Sequence, residues 1–182
     1  MKTLFYLAIL LCAPLVNCAT VPSSNGVYLK SNGQWVALSV ANSSGESTGG
    51  VGRSMLTGGI ARVNGNTIFS GSTAPVSTSD ANPAFCVIGP THAEARDIVI
   101  VRLKEKRGHR ELQTISMGAY RGLDMEYPPK DITHVVGSQS GVCWMVTPVS
   151  ALKRGEYILF AGLGPANIMI PGFGGYDFSV SK

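Results

Sequence analysis

The stretch from Asp97 to Ile115, DIVIVRLKEKRGHRELQTI, constrains this chain more than any other. Side chains alternate faces along a strand, so Ile98 and Ile100 fall on one side and Val99, Val101 and Leu103 on the other. Both sides are apolar, the pattern of a strand packed within a sheet rather than one with a wet face. The segment EKRGHR then breaks the pattern with charge and a glycine, and Leu112 and Ile115 resume it. The stretch reads as a central hairpin with a basic tip.

The rest of the chain supplies more short strands and no long amphipathic segment. In GVYLKSNGQWVALSV, two alternating runs flank Ser31-Asn32-Gly33, and Asn-Gly favours a tight hairpin turn, so strands are expected near 26–30 and 34–39. GGIARV and TIFSG around Asn64-Gly65-Asn66 read as a second hairpin, with Ile60 and Ile68 as core positions. Between the two, residues 41–54 are rich in Gly and Ser and read as a flexible loop. GGVGRS within it lacks the spacing and the lysine of a phosphate-binding loop. Asn42-Ser43-Ser44 fits a glycosylation sequon.

Residues 70–83 read as a polar loop, Phe85 to Ile88 as a strand, and PTHAEAR as one helical turn. Val142 to Val146 is apolar throughout and is expected to be buried. Glu156 to Phe160 is apolar on both faces, and Tyr176, Phe178 and Val180 share one face of a last strand. About nine or ten short strands with 22 glycines and 10 prolines predict an all-β fold, a single antiparallel β-sandwich. Tyr28 and Trp35 are expected to pack in its core.

The amino terminus bounds the compartment. MKTLFYLAILLCAPLVNCAT has one positive charge, an apolar run and a small-residue exit, the pattern of a secretory signal peptide over residues 1–19. Its apolar run is too short to span a bilayer, which takes about 20 residues. A second reading makes Cys18 the acylated residue of a lipoprotein, although Asn17 departs from the small residue expected before it. Residues 20–182 then form one domain, exported to the periplasm or outside the cell, free or lipid-anchored, with no transmembrane span. Removal of Lys2 leaves 14 basic against 11 acidic residues, a net charge of +3. That is too weak a footprint to argue for nucleic acid. Cys86 and Cys143 remain in strand-like segments, and an oxidising compartment favours their pairing. Closing so long a loop contributes about 4 kcal/mol in the chain-entropy model. Two separate buried thiols are the alternative.

Several landmarks together resemble a loose group of secreted bacterial β-rich domains of unknown function. They are Gly26-Val27-Tyr28 with Trp35, Arg110-Glu111-Leu112 after the charged turn, Leu152 leading to Gly155-Glu156-Tyr157, and Tyr176-Asp177-Phe178. The resemblance implies export and a β-rich fold, and brings no catalytic residue. The Gly/Ser loop at 41–54 and the AGLGPANIMIPGFGG segment stand out as local departures.

No catalytic signature emerges. GSQSG has Gln139 where a nucleophile would stand, and His92, His109 and His134 are scattered. His92 and Glu94 would need further ligands to hold a metal, so no metal or cofactor is expected. Asp124, Glu126 and Asp131 are the close acids that glycoside chemistry could use. Glu156 and Asp177 read as members of structural ion pairs. The basic tip, Arg102, Lys104, Lys106, Arg107 and Arg110, either keeps a hairpin edge soluble or contacts an anionic surface. The expected function is thus a binding or structural module of the envelope or extracellular space, not an enzyme. Its expected partner is an anionic envelope component or another envelope protein. The alternative is an envelope hydrolase assembled from loops, acting on polysaccharide or peptide.

Overall fold

The computed structural model describes residues 21–41, 43–58, 61–89, 98–118, 124–126, 132–161 and 175–181. The segment expected to be a signal peptide, Cys18, Asn42, Ile60, PTHAEAR with His92 and Glu94, Asp131, and AGLGPANIMIPGFGG between its end residues lie outside them.

The described chain is all-β but for one short helix. In order it forms β1 (Gly26–Ser31), β2 (Gln34–Ala37), β3 (Val40–Ala41), β4 (Ser43–Gly49), α1 (Val51–Leu56), β5 (Val63–Ser70), β6 (Ser77–Thr78) and β7 (Phe85–Ile88). There follow β8 (Val99–Arg102), β9 (Lys104–Lys106), β10 (His109–Gly118), β11 (Asp124–Glu126), β12 (Ile132–Ser140), β13 (Cys143–Pro148), β14 (Gly155–Phe160) and β15 (Gly175–Val180). The larger sheet runs β2-β1-β7-β13-β12-β8-β14-β15-β3, with β6 beside β15. The smaller runs β11-β10-β5-β4, with β9 beside β10. Pairing is antiparallel except between β6 and β15.

The larger sheet is strongly curled. Its end strands, β2 and β3, are separated in sequence by Leu38 and Ser39 alone, so this dipeptide ties one edge to the other. Leu38 is buried inside the curl and donates its N–H to Val27 O at 2.8 Å. The interior is filled from strands all round the sheet, among them Leu29, Phe85, Ile98, Ile100, Val146, Leu159 and Phe178. Phe178 stacks on Tyr157 with ring centroids 5.5 Å apart and meets Phe85 edge-on at 5.0 Å.

The smaller sheet packs on the outer face of the larger one, over β8 and β14. Phe69 and Leu112 of the smaller sheet meet Val99, Val101, Leu103, Ile158 and Phe160 in a second apolar layer. This accounts for the doubly apolar stretch: Ile98 and Ile100 face the interior of the curl, and Val99 and Val101 face the layer between sheets. All four are fully buried. Glu156 to Phe160 is buried along its whole length for the same reason.

The expected central hairpin is divided between the sheets. β8 pairs with β12 and β14, and the last rung is the Leu103 N–H to Glu156 O at 2.9 Å. The chain then passes into the smaller sheet, where β9 and β10 form the hairpin around Arg107-Gly108. The Asn32-Gly33 turn is as expected, both residues having the positive φ that a tight turn demands, 51° and 78°. The second Asn-Gly signal fails. Asn64, Gly65 and Asn66 lie inside β5, bonded to β4 on one side and β10 on the other, and β10 bulges between Gln113 and Ile115 to accommodate them. Two neighbouring ladders satisfy more backbone groups than one turn, so tertiary pairing overrides the local preference.

The loop expected at 41–54 is instead β3, β4 and the start of α1. Val142 is also corrected, since it lies at an exposed turn while Cys143 and Val146 are buried. Ile68 is half-buried, and its neighbour Phe69 takes the core position. Cys86 and Cys143 come together across β7 and β13, with Cα atoms 5.5 Å apart and sulfurs at disulfide distance. Tyr28, Trp35 and Met145 pack over this pair on the outer face, and Lys30 Nζ stands 5.8 Å from the Trp35 ring.

Candidate functional site

The charges of the β9–β10 hairpin separate into two environments. Lys104 and Lys106 share one side of β9 and are exposed, as is Arg107 in the turn. Arg102, just before the crossing, is exposed too, and its guanidinium donates to Arg154 O at 2.8 Å. That bond brings the 150–155 connection beside the hairpin. A groove of about 380 Å³ runs along Arg102, Leu103, Lys104, Glu105 and Lys106. A second, of about 260 Å³, lies between Arg102, Ile132, Thr133, Lys153 and Tyr157. Arg102 borders both, so Lys153 and Arg154 join the cationic strip. Sequence reading missed these two because they are some fifty residues away along the chain.

Gly155 shows why the strip is built this way. Its φ of +153° is rare for a residue with a side chain, and a Cβ there would stand 3.0 Å from the Arg102 guanidinium. Glycine therefore lets the arginine lie flat over the start of β14.

Arg110 belongs elsewhere. It is 3% exposed, not part of the surface strip, and the expectation that it contacts an external anion is corrected. In a strand, Arg110 and Leu112 share a face, and Leu112 points into the layer between sheets. Arg110 Nη1 donates to Asp177 Oδ2 at 2.8 Å and lies 3.5 Å from Glu156 Oε2. Its Nε donates to Gly71 O and its Nη2 to Ser70 O, both at 3.1 Å. Glu156 Oε2 also accepts the Ala74 N–H at 2.7 Å. One guanidinium thus joins β10 of the smaller sheet, β14 and β15 of the larger, and the 70–74 loop. Three landmarks that are far apart in sequence, REL, GEY and YDF, meet here. Among the described residues, no buried side-chain nitrogen or oxygen lacks a partner.

The electrostatics are unbalanced, with two carboxylates against one guanidinium. Burial pushes the Glu156 carboxyl above its usual value of 4.5, and Asp177 and Glu105 push the same way. The Ala74 N–H and the Arg110 guanidinium oppose that rise. Glu156 is 5% exposed, and its carboxyl is held by the Ala74 N–H and Arg110 at the joint between the sheets.

The other sequence candidates are dispersed. His109 lies on the far side of β10 from Arg110, with Nε2 3.0 Å from Glu111 Oε1. His134 is exposed on β12. Asp124 and Glu126 form β11 with Met125 at the edge of the smaller sheet. Among the described residues, no three His, Cys, Asp or Glu side chains could hold a metal ion together. Nor, among them, is any helix long and apolar enough to cross a membrane. No family model, curated protein or solved structure matches this chain.

Proposed function

We propose that the protein is an exported β-domain of the cell envelope or extracellular space, and that it binds an anionic envelope component through the strip around Lys106 and Arg107. The observation that carries this reading is the division of the hairpin's charge. Arg110 is withdrawn into the sheet joint, while Arg102, Lys104, Lys106 and Arg107 stay exposed beside Lys153 and Arg154. Edge charge that served solubility alone would need no groove and no recruitment of a second loop.

Lys106→Glu with Arg107→Glu is expected to abolish retention of the protein on anionic envelope material in a low-salt pull-down, and raised salt is expected to weaken the wild type. Unchanged retention by the double variant would leave the domain a structural role. Export has its own test. Mass spectrometry of the mature chain is expected to show loss of residues 1–19, or a lipid on Cys18, and an intact amino terminus would remove the export reading.

A further inference from the structure

The outer face of β7 and β13 brings three sulfur atoms together. Cys86 on β7 lies directly opposite Met145 on β13, and Cys143 is two residues before Met145 on the same face. Side chains opposite or diagonal to one another across two strands are close enough to touch. The Cys86 and Cys143 sulfurs are at disulfide distance, and Met145 Sδ lies 3.4 Å from Cys143 Sγ. The two cysteines are 57 residues apart in sequence and stand in no CxxC pair, so the set exists only in the folded sheet.

The surroundings of these sulfurs are apolar and aromatic. Ile88, Tyr28 and Trp35 pack with them, and Tyr28 sits opposite Cys86 on β1 with its hydroxyl donated to Ser24 O at 3.1 Å. Both cysteines are fully buried, while Met145, Tyr28 and Trp35 are half-buried, so among the described residues the approach to the sulfurs is from the outer face. Two thiolates and a thioether are soft ligands, which select Cu(I) over hard cations. A structural zinc ion takes a closed set of thiolate, imidazole or carboxylate ligands. Among the described residues, no three His, Cys, Asp or Glu side chains come together to supply one. Met145 completes the sulfur set without having to lose a proton.

We infer that Cys86, Cys143 and Met145 form a Cu(I) site that opens when the cysteine pair is reduced. A dithiol reductant gives two electrons to the Cys86–Cys143 bond, which breaks to two thiols as the reductant closes its own disulfide. Cu(I) then binds the cysteine sulfurs as thiolates and Met145 Sδ as a thioether. Two protons leave to solvent in that step, and the copper keeps its oxidation state. The oxidised pair has no thiolate to offer, so bond and metal exclude each other. Two thiolates around one Cu(I) leave a negative charge, and Lys30 supplies a cation on the same face of β1 as Tyr28, its Nζ 5.8 Å from the Trp35 ring. None of the residues in the basic strip takes part.

The test is transfer of Cu(I) from bicinchoninate to the full chain without oxygen, after reduction by a dithiol and removal of that dithiol. The reduced wild type is expected to take up a single copper per chain, with sulfur neighbours alone in its X-ray absorption spectrum. The oxidised chain is expected to take up none. Met145→Leu nearly conserves side-chain volume and should keep the fold, checked by circular dichroism beside the reduced wild type. It is expected to weaken Cu(I) binding at least about tenfold, since losing even an outer-shell partner costs that much. No transfer to the reduced chain, equal transfer to the oxidised chain, or unchanged affinity in the Met145→Leu variant would each overturn the inference. Zinc retained in preference to copper would also overturn it. Loss of the fold on reduction, with no copper taken up, would overturn it too and leave the cysteine pair a structural bond.

Discussion

Arg107 and Arg110 stand three residues apart in one hairpin and do opposite things. Arg107 is at the turn, exposed, among cations that have few fixed partners. Arg110 is buried, with its three guanidinium nitrogens engaged by two carboxylates and two carbonyls. The difference comes from the sheet, not the residue type. β10 presents Arg110 on the face that meets the larger sheet, while the turn presents Arg107 to water. A desolvated guanidinium needs fixed acceptors, and the fold supplies them from β14, β15 and the 70–74 loop. A solvated one needs none and stays available for an outside ligand.

The sharpest way to break this contrast is to remove the buried member. Arg110→Ala would leave Glu156 and Asp177 facing each other without a cation between them. The expected loss is about 3–5 kcal/mol, read as a fall in the urea midpoint. A loss below about 1 kcal/mol would mean that the apolar layer alone joins the sheets.

A smaller effect should come from pH. The folded-state pKa of Glu156 lies above the unfolded value near 4.5, so the native state binds this proton more tightly. Its contribution is fully present below about pH 4.5 and is lost as pH rises through the folded value. Glu156→Gln imitates the protonated form and should flatten that part of the stability–pH curve. A variant with the wild-type slope would move the titration to another group.

The smallest effect belongs to the exposed member. Lys106→Glu with Arg107→Glu should change stability by less than about 0.5 kcal/mol, because neither side chain is buried. The same variant is the one expected to lose anionic binding. A large stability loss would show that the exposed charges are structural after all, and would erase the distinction from Arg110.

The glycine that follows Arg154 and the disulfide-distance pair extend the comparison beyond the hairpin. Gly155 matters because the Arg102 side chain lies across it, a contact between residues 53 apart in sequence. Cys86 and Cys143 matter as neighbours across two strands, with Tyr28 and Trp35 packed outside them. In each case residue type could be read early, but its use depended on what the folded chain placed opposite.

By itself, the sequence determined the all-β class, the Asn32-Gly33 turn and the burial of both faces of the 98–103 stretch. These follow from local geometry: a two-residue period and the backbone freedom of Asn-Gly act over a few residues. Parity also held the signal for the buried cluster, since Arg110 shares a face with Leu112, Glu156 shares one with Ile158, and Asp177 lies on the face opposite Phe178. Only tertiary structure decided that these three charges meet, that the central stretch crosses between sheets at Leu103, and that Asn64-Gly65-Asn66 lies in a strand. Pairing across β4, β5 and β10 joins segments far apart in the chain. The free energy of such a ladder is set by both partners, so neither partner's own residues could fix it.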